Sequence, residues 1–193
     1  MIDLSLVQEY SHHAHDSIKH RRNYVDAPYW THTDEVADIV RSVTDDQEDI
    51  AAAYLHDVLE DVALHNPAYD AASIERNFGS TVLHRVLGLT DVYVPAAFPT
   101  LNRAARKLKE AERLGNTDRH IQTIKLADLI SNTTSIVDHA PTGFAITYLK
   151  EKDQLLSRLT RGDRSLYQRA RDLCDEGLVR LGVIQGVVSR VGA

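Results

Sequence analysis

His56 and Asp57 stand side by side in the run Ala53-Tyr54-Leu55-His56-Asp57-Val58-Leu59-Glu60-Asp61. The run begins like buried helix and then presents an imidazole and three carboxylates. Burying a carboxylate is costly unless it is paired or coordinates a metal, so the pattern needs a chemical reason. On one helix, His56 and Glu60 lie one turn apart, as do Asp57 and Asp61, which puts the four polar groups on about one side. Asp128 carries the same contradiction inside Thr123-Ile124-Lys125-Leu126-Ala127-Asp128-Leu129-Ile130, and Asn132 follows one turn later. His32 comes after Pro28-Tyr29-Trp30-Thr31, just before a helix start. Imidazoles with carboxylates suit a first-row divalent ion such as Mn²⁺, Fe²⁺, Co²⁺ or Zn²⁺. The competing reading is a set of helix-terminal carboxylates around a packed histidine, and the combined spacing argues against it.

These groups are expected to be held by helices, for the apolar residues recur at spacings of three and four and strand alternation is almost absent. The pattern predicts helices over 3–22, from Thr33-Asp34-Glu35 onward, 45–60, 70–78, 80–89, 100–114, 118–139, 145–160 and 163–181. Acids mark several starts, and Gly79 and Gly115-Asn116 mark ends. Ile121, Ile124, Leu126, Leu129, Ile130 and Ile136 are expected to face the core. The expectation is an all-α bundle of eight to ten helices in one domain spanning 1–193, with the last ten residues loosely ordered.

Bulk properties agree with a soluble cytoplasmic protein. A chain of 193 residues buries a real core. The formal charge of −6 argues against binding duplex nucleic acid through a general basic face. Cys174 is the lone cysteine, which excludes an internal disulfide and a cysteine-based zinc site. No run is long and apolar enough for a membrane span or a signal peptide. His12, His13, His15 and His20 crowd the first predicted helix and read as solvated or packing residues.

Taken together, Arg22-Asn23-Tyr24, Pro28-Tyr29-Trp30-Thr31-His32, the run from Ala53 to Asp61, Phe78-Gly79, Leu89-Thr90-Asp91 and Lys125-Leu126-Ala127-Asp128 with Asn132 resemble the HD-domain hydrolases of the RelA/SpoT type, particularly small single-domain alarmone hydrolases. The resemblance covers about residues 12–170. It implies His32, His56, Asp57 and Asp128 as metal ligands, with Mn²⁺ the usual ion, and Glu60 and Asp61 as the catalytic acidic pair. It also implies removal of the 3′-pyrophosphate from guanosine tetra- or pentaphosphate. Arg22, Asn23 and Asn132 match substrate-pocket positions, and Arg103, Lys107 and Tyr148 are looser candidates. Lys125 reads either as a substrate-facing cation or as a plain helix-surface charge.

Two departures bear on the substrate. Asn23 stands where the family often has lysine, and Thr134 where it often has arginine. Fewer fixed cations imply weaker binding of a highly charged nucleotide, or a substrate with fewer phosphates. Two other readings therefore stand beside the alarmone hydrolase. One is an HD-type phosphatase of another nucleotide or of NADPH. The other is a non-catalytic nucleotide-sensing or toxin-neutralising module, against which the Glu60-Asp61 pair argues. A synthetase is not expected, since the chain has no room for a second nucleotidyl-transfer domain and no Gly-rich phosphate loop.

Overall fold

Short polar side chains set most of the helix starts in the computed structural model, which describes residues 2–184. Nine α-helices follow in order: α1 Leu4–Ser17, α2 Trp30–Arg41, α3 Gln47–Leu55, α4 Ala71–Phe78, α5 Ser80–Leu89, α6 Arg103–Gly115, α7 Arg119–His139, α8 Thr142–Leu156 and α9 Arg164–Arg180. Asp3, Asp46, Asp70, Asn102, Asp118 and Asp163 accept hydrogen bonds from the free N–H groups of α1, α3, α4, α6, α7 and α9. Each such cap stabilises its helix by about 0.5–2 kcal/mol. Among the described residues there is no strand, only one isolated bridge between Arg21 and Pro28. The all-α expectation holds.

α7 runs through the middle, packed by α2, α3, α5, α6, α8 and α9. Its stretch from Ile121 to Ser131 is buried apart from Lys125. Ile136 is only half-buried. Gln122 is fully buried yet satisfied. Its amide donates to the carbonyls of Leu114, Gly115 and Thr117, and its own oxygen accepts from Arg161 N–H. That residue ties α7 to the end of α6 and to the turn before α9.

Gly162 sits in that turn, against α7. A Cβ there would lie 2.6 Å from Leu126 Cδ1 and 3.1 Å from the Gln122 carbonyl carbon. Gly162→Ala is therefore expected to destabilise the protein by roughly 1–3 kcal/mol. Thermal unfolding checks this, and an unchanged midpoint would contradict the packing described.

α2 starts at Trp30, so His32 lies inside it rather than just before it, and α8 starts at Thr142 rather than 145. Two further differences matter for chemistry. The first helix ends at Ser17 rather than Arg22. Lys19 takes a left-handed φ of 54°, the chain turns, and His20 stacks on Tyr29 at 3.7 Å. The predicted helix over 45–60 ends at Leu55, and Val58–Val62 form a π-turn instead. Asp57 opens it at φ −100°, ψ −2°, and Ala63 N–H bonds Val58 O. Such wider turns are frequent at functional sites, because they re-aim side chains that a regular helix would stack. The predicted looseness of the last ten residues lies, from residue 185 on, outside the described residues.

Candidate metal centre and active site

Three helices and one π-turn bring four ligand-type groups to one point. His32 lies in the first turn of α2, His56 caps α3, Asp57 begins the π-turn and Asp128 sits midway along α7. His56 Nε2 is 2.9 Å from Asp57 Oδ2 and 3.7 Å from Asp128 Oδ1. His32 Nε2 is 3.2 Å from Asp128 Oδ1 and 3.7 Å from Asp57 Oδ2. Ligands each about 2.1 Å from a first-row ion stand roughly 3 Å apart, so the spacing suits a shared cation. His32, His56 and Asp57 each offer an atom within 4.8 Å of the others.

The imidazole hydrogen bonds give an independent test of that fit. Ser131 Oγ donates its single hydrogen to Glu35 Oε2 at 2.6 Å, since a carboxylate only accepts. The same oxygen must therefore accept from His32 Nδ1, 2.8 Å away. His56 Nδ1 donates to Ala53 O at 2.8 Å. Both rings thus carry their proton on Nδ1 and aim the Nε2 lone pair inward. Both Nε2 atoms are buried and lack any hydrogen-bond partner. The close His56–Asp57 approach does not have hydrogen-bond geometry. Two buried Nε2 atoms without a hydrogen-bond partner, facing two carboxylates, fit a divalent cation. Outer partners that fix the tautomer are part of such sites.

Without an ion, the carboxylates draw positive charge to the same point as a proton, which a metal would displace. Burial opposes charge on His56, yet Asp57 and Asp128 outweigh it and pull its pKa well above the usual imidazole value. Burial likewise works against charge on Asp128. Lys125, 2.8 Å from Oδ2, and the two imidazoles nevertheless hold it well below the carboxylate range. Asp57 is held low despite burial, chiefly by His56. Tyr29 donates to Asp57 Oδ2 at 2.6 Å, and Asn132 donates to Asp128 Oδ1 at 2.6 Å. Lys125 is therefore no plain surface charge.

Glu60 and Asp61 project from the π-turn into a chamber of about 280 Å³, lined also by Asp57, Asp128 and Asn132. Glu60 Oε2 accepts from Asp91 N–H at 3.0 Å. Burial raises the Glu60 pKa, with Asp91 and Asp57 adding to it. Burial, Asp57 and Glu60 push Asp61 up to about 8. The loop bearing Asp91 is itself fixed. Glu110 accepts from Val92 and Tyr93 N–H, and Arg113 donates to Gly88 and Thr90 carbonyls.

The other expected substrate contacts divide. Arg103, Lys107, Asn132 and Tyr148 line the chamber. Arg22 and Asn23 are not among its lining residues. Arg22 reaches Glu35 at 3.4 Å, at the outer end of the Ser131–His32 chain, and Asn23 is exposed. Thr134 faces a groove against α9, so arginine's absence there takes no cation from this chamber. Sequence reasoning missed Tyr29, Ser131, Glu35 and Lys152. The only signal for Ser131 was a hydroxyl within an apolar run. A second cluster, Asp46, Asp49 and His120, has ligand-type groups too. There Arg85 already pairs with both carboxylates at 3.0 Å, so the cluster has a cation of its own.

The comparisons with known proteins agree with this geometry. The HD-domain family model matches residues 8–155. This chain belongs to the HD-domain family. The HD domain implies divalent-metal binding, in keeping with the convergent histidines and carboxylates. Over 128 residues this HD-domain chain is 30% identical to guanosine-3′,5′-bis(diphosphate) 3′-pyrophosphohydrolase MESH1 of Drosophila melanogaster. The match covers 64% of this chain, and the chain spans 64% of that relative's length. Among solved structures, a metazoan ortholog of SpoT described as hydrolysing ppGpp superposes with a TM-score of 0.74 at 24% identity, covering 94% of this chain and 96% of the other. The lmo0812 protein of Listeria monocytogenes EGD-e superposes with a TM-score of 0.61 at 21% identity, covering 79% and 99%. At those identities the superpositions establish the HD fold alone.

Proposed function

We propose that this HD-domain protein is a Mn²⁺-dependent guanosine-3′,5′-bis(diphosphate) 3′-pyrophosphohydrolase, releasing GDP or GTP and pyrophosphate. The observation that carries the reading is the pair of buried, unpartnered Nε2 atoms facing Asp57 and Asp128, beside two half-buried carboxylates with raised pKa values. The alarmone substrate comes from MESH1, whose name states that activity. His32, His56, Asp57 and Asp128 would hold the ion. When bound, the ion supplies Lewis acidity toward a phosphoryl oxygen and acidifies water.

The chain's own groups then have defined tasks. Glu60, fixed by the Asp91 amide, accepts the proton of the attacking water. Asp61 retains a proton near neutral pH and delivers it to the departing 3′-oxygen. The carboxylate pair thus works as base and acid through unequal environments. Asn132 and Lys125 hold Asp128 in place. Tyr29 does the same for Asp57. Lys107 and Arg103 are paired with Asp91 and Glu151, and exchange those partners for phosphate oxygens when substrate enters. The same reading places the protein in the cytoplasm, with a small nucleotide as its partner.

One observation favours a second substrate. Arg22 is engaged by Glu35 and Asn23 is exposed, so neither is poised at the chamber. A nucleotide with fewer phosphates, or the 2′-phosphate of NADPH, needs fewer cations. Incubation with Mn²⁺ and a panel of guanosine tetraphosphate, NADPH and common nucleotides separates the two. Pyrophosphate from the alarmone supports the first reading, and orthophosphate from NADPH without alarmone turnover overturns it.

The His32 chain makes a separate prediction. Ser131→Ala removes the acceptor that fixes the His32 tautomer, so Mn²⁺ affinity is expected to fall by roughly 10- to 100-fold. Calorimetric titration of the metal-stripped protein reads this directly. Unchanged affinity would mean that His32 is not a ligand or needs no such support.

A further inference from the structure

Four cations line the chamber, and three of them have carboxylate partners. Arg103 is held by Glu151, Lys107 by Asp91 and Lys125 by Asp128. The fourth, Lys152, has no carboxylate partner among the described residues. Its ammonium donates only to Thr133 Oγ1 and, at 3.4 Å, to Leu129 O. The residue is 2% exposed. Nearby acids are engaged elsewhere, for Arg171 takes both Asp153 and Asp175. One turn earlier on α8, the buried hydroxyl of Tyr148 also lacks a hydrogen-bond partner. Two donors at i and i+4 on one helix, on the wall of a polar chamber, are thus short of an acceptor.

A merely structural role does not explain this arrangement. A methionine or leucine would fill the volume without the cost of burying an unpaired ammonium. The deficit disappears if a ligand supplies negative charge. Asp57, Glu60, Asp61 and Asp128 already line the chamber for a reacting phosphoryl group. An alarmone carries two phosphate chains, and only one reacts.

We propose that Lys152, assisted by the Tyr148 hydroxyl, binds the 5′-phosphate chain of the nucleotide, the chain that is not cleaved. This assignment rests on the nucleotide reading of the same chamber. Burial lowers the Lys152 pKa to about 8, so the amine is still mostly protonated at neutral pH. An arriving phosphate pairs with it without first displacing a carboxylate, as it must at Arg103 and Lys107.

The test compares guanosine 5′-diphosphate 3′-diphosphate with guanosine 5′-monophosphate 3′-diphosphate, using wild type, Lys152→Met and Lys152→Arg. Wild type is expected to show the lower KM for the 5′-diphosphate. Lys152→Met raises that KM by roughly 10- to 100-fold, the worth of one charged hydrogen bond, and erases the preference while kcat stays within about threefold. Lys152→Arg keeps the preference. A variant that loses stability but retains the wild-type KM and preference would overturn the proposal, since that is what a structural lysine does.

GDP binding, measured by calorimetry with Mn²⁺ present, separates this inference from the reaction itself. Lys152-dependent GDP binding without alarmone turnover would keep the subsite and remove the proposed reaction. Turnover with GDP binding and KM indifferent to Lys152→Met would keep the reaction and remove the subsite. Should Lys152→Met fail to fold, Lys152→Gln takes its place, since it removes the charge and keeps a donor for Thr133 Oγ1. The same loss of GDP affinity and of the 5′-diphosphate preference is expected, and wild-type values in that variant overturn the proposal.

Discussion

Asp57→Ala is expected to abolish Mn²⁺ binding at micromolar metal and, with it, all measurable turnover. Asp57 Oδ2 lies within 3.7 Å of both inward-facing Nε2 atoms, a placement it shares with Asp128 Oδ1 on the other side. Apparent binding energies for structural zinc run to about 10–16 kcal/mol, so losing one of four ligands costs roughly two orders of magnitude in affinity. The change also orphans the Tyr29 hydroxyl, which now bonds Asp57 at 2.6 Å. A thermal readout distinguishes loss of metal from loss of fold. An ion at about 100 times its Kd stabilises wild type by roughly 2.7 kcal/mol. Mn²⁺ is therefore expected to raise the wild-type Tm and leave that of Asp57→Ala unmoved. A variant that still melts higher with Mn²⁺ would remove Asp57 from the ligand set.

Glu60→Gln is the complementary experiment. Glutamine keeps an oxygen for the Asp91 N–H, now 3.0 Å from Glu60 Oε2, so the loop geometry survives. What is lost is the ability to take a proton. General-base catalysis contributes typically 10²- to 10⁴-fold, so kcat is expected to fall by about that factor with Mn²⁺ affinity unchanged. Full activity in Glu60→Gln would show that the carboxylate serves only to fix the loop. Together with Asp57→Ala, the pair separates holding the ion from moving the proton.

The proposed ligand set stands out in the sequence because its residues violate their surroundings. His56-Asp57 and Asp128 sit in runs that are otherwise core-like, and burying such groups demands compensation. Helix starts were readable for a related reason: Asp46, Asp118 and Asp163 stand just ahead of helical apolar spacing, where their side chains cap free N–H groups. The π-turn was not readable. Val58-Leu59-Glu60-Asp61-Val62 has ordinary helical composition, and its wider turn depends on the backbone of Asp57 and on packing against α1. Nor was the break after Ser17, which depends on Lys19 accepting a left-handed conformation so that His20 can stack on Tyr29.

Substrate contacts were harder still. Arg22 and Asn23 carry motif positions, yet the fold gives Arg22 to Glu35 and leaves Asn23 exposed. Lys152 had only a weak signal, its place on the Ala145-Leu149-Leu156 spacing, since a lysine in Leu149-Lys150-Glu151-Lys152-Asp153 otherwise looks like solvated helix until α8 is packed against α7. Its burial follows from which face of α8 carries Ala145, Leu149 and Leu156. Chamber electrostatics are likewise a tertiary property. Seven carboxylates and four cations meet there, a balance that calls for an added cation before a polyphosphate can enter.

The most direct test follows the oxygen atom. Purified protein, Mn²⁺ and guanosine 5′-diphosphate 3′-diphosphate are incubated in ¹⁸O-water, and the products are resolved by mass. Water attack at phosphorus predicts equal amounts of GDP and pyrophosphate, with one ¹⁸O per pyrophosphate and none in the 3′-hydroxyl. Absence of pyrophosphate, or ¹⁸O in GDP, would contradict it.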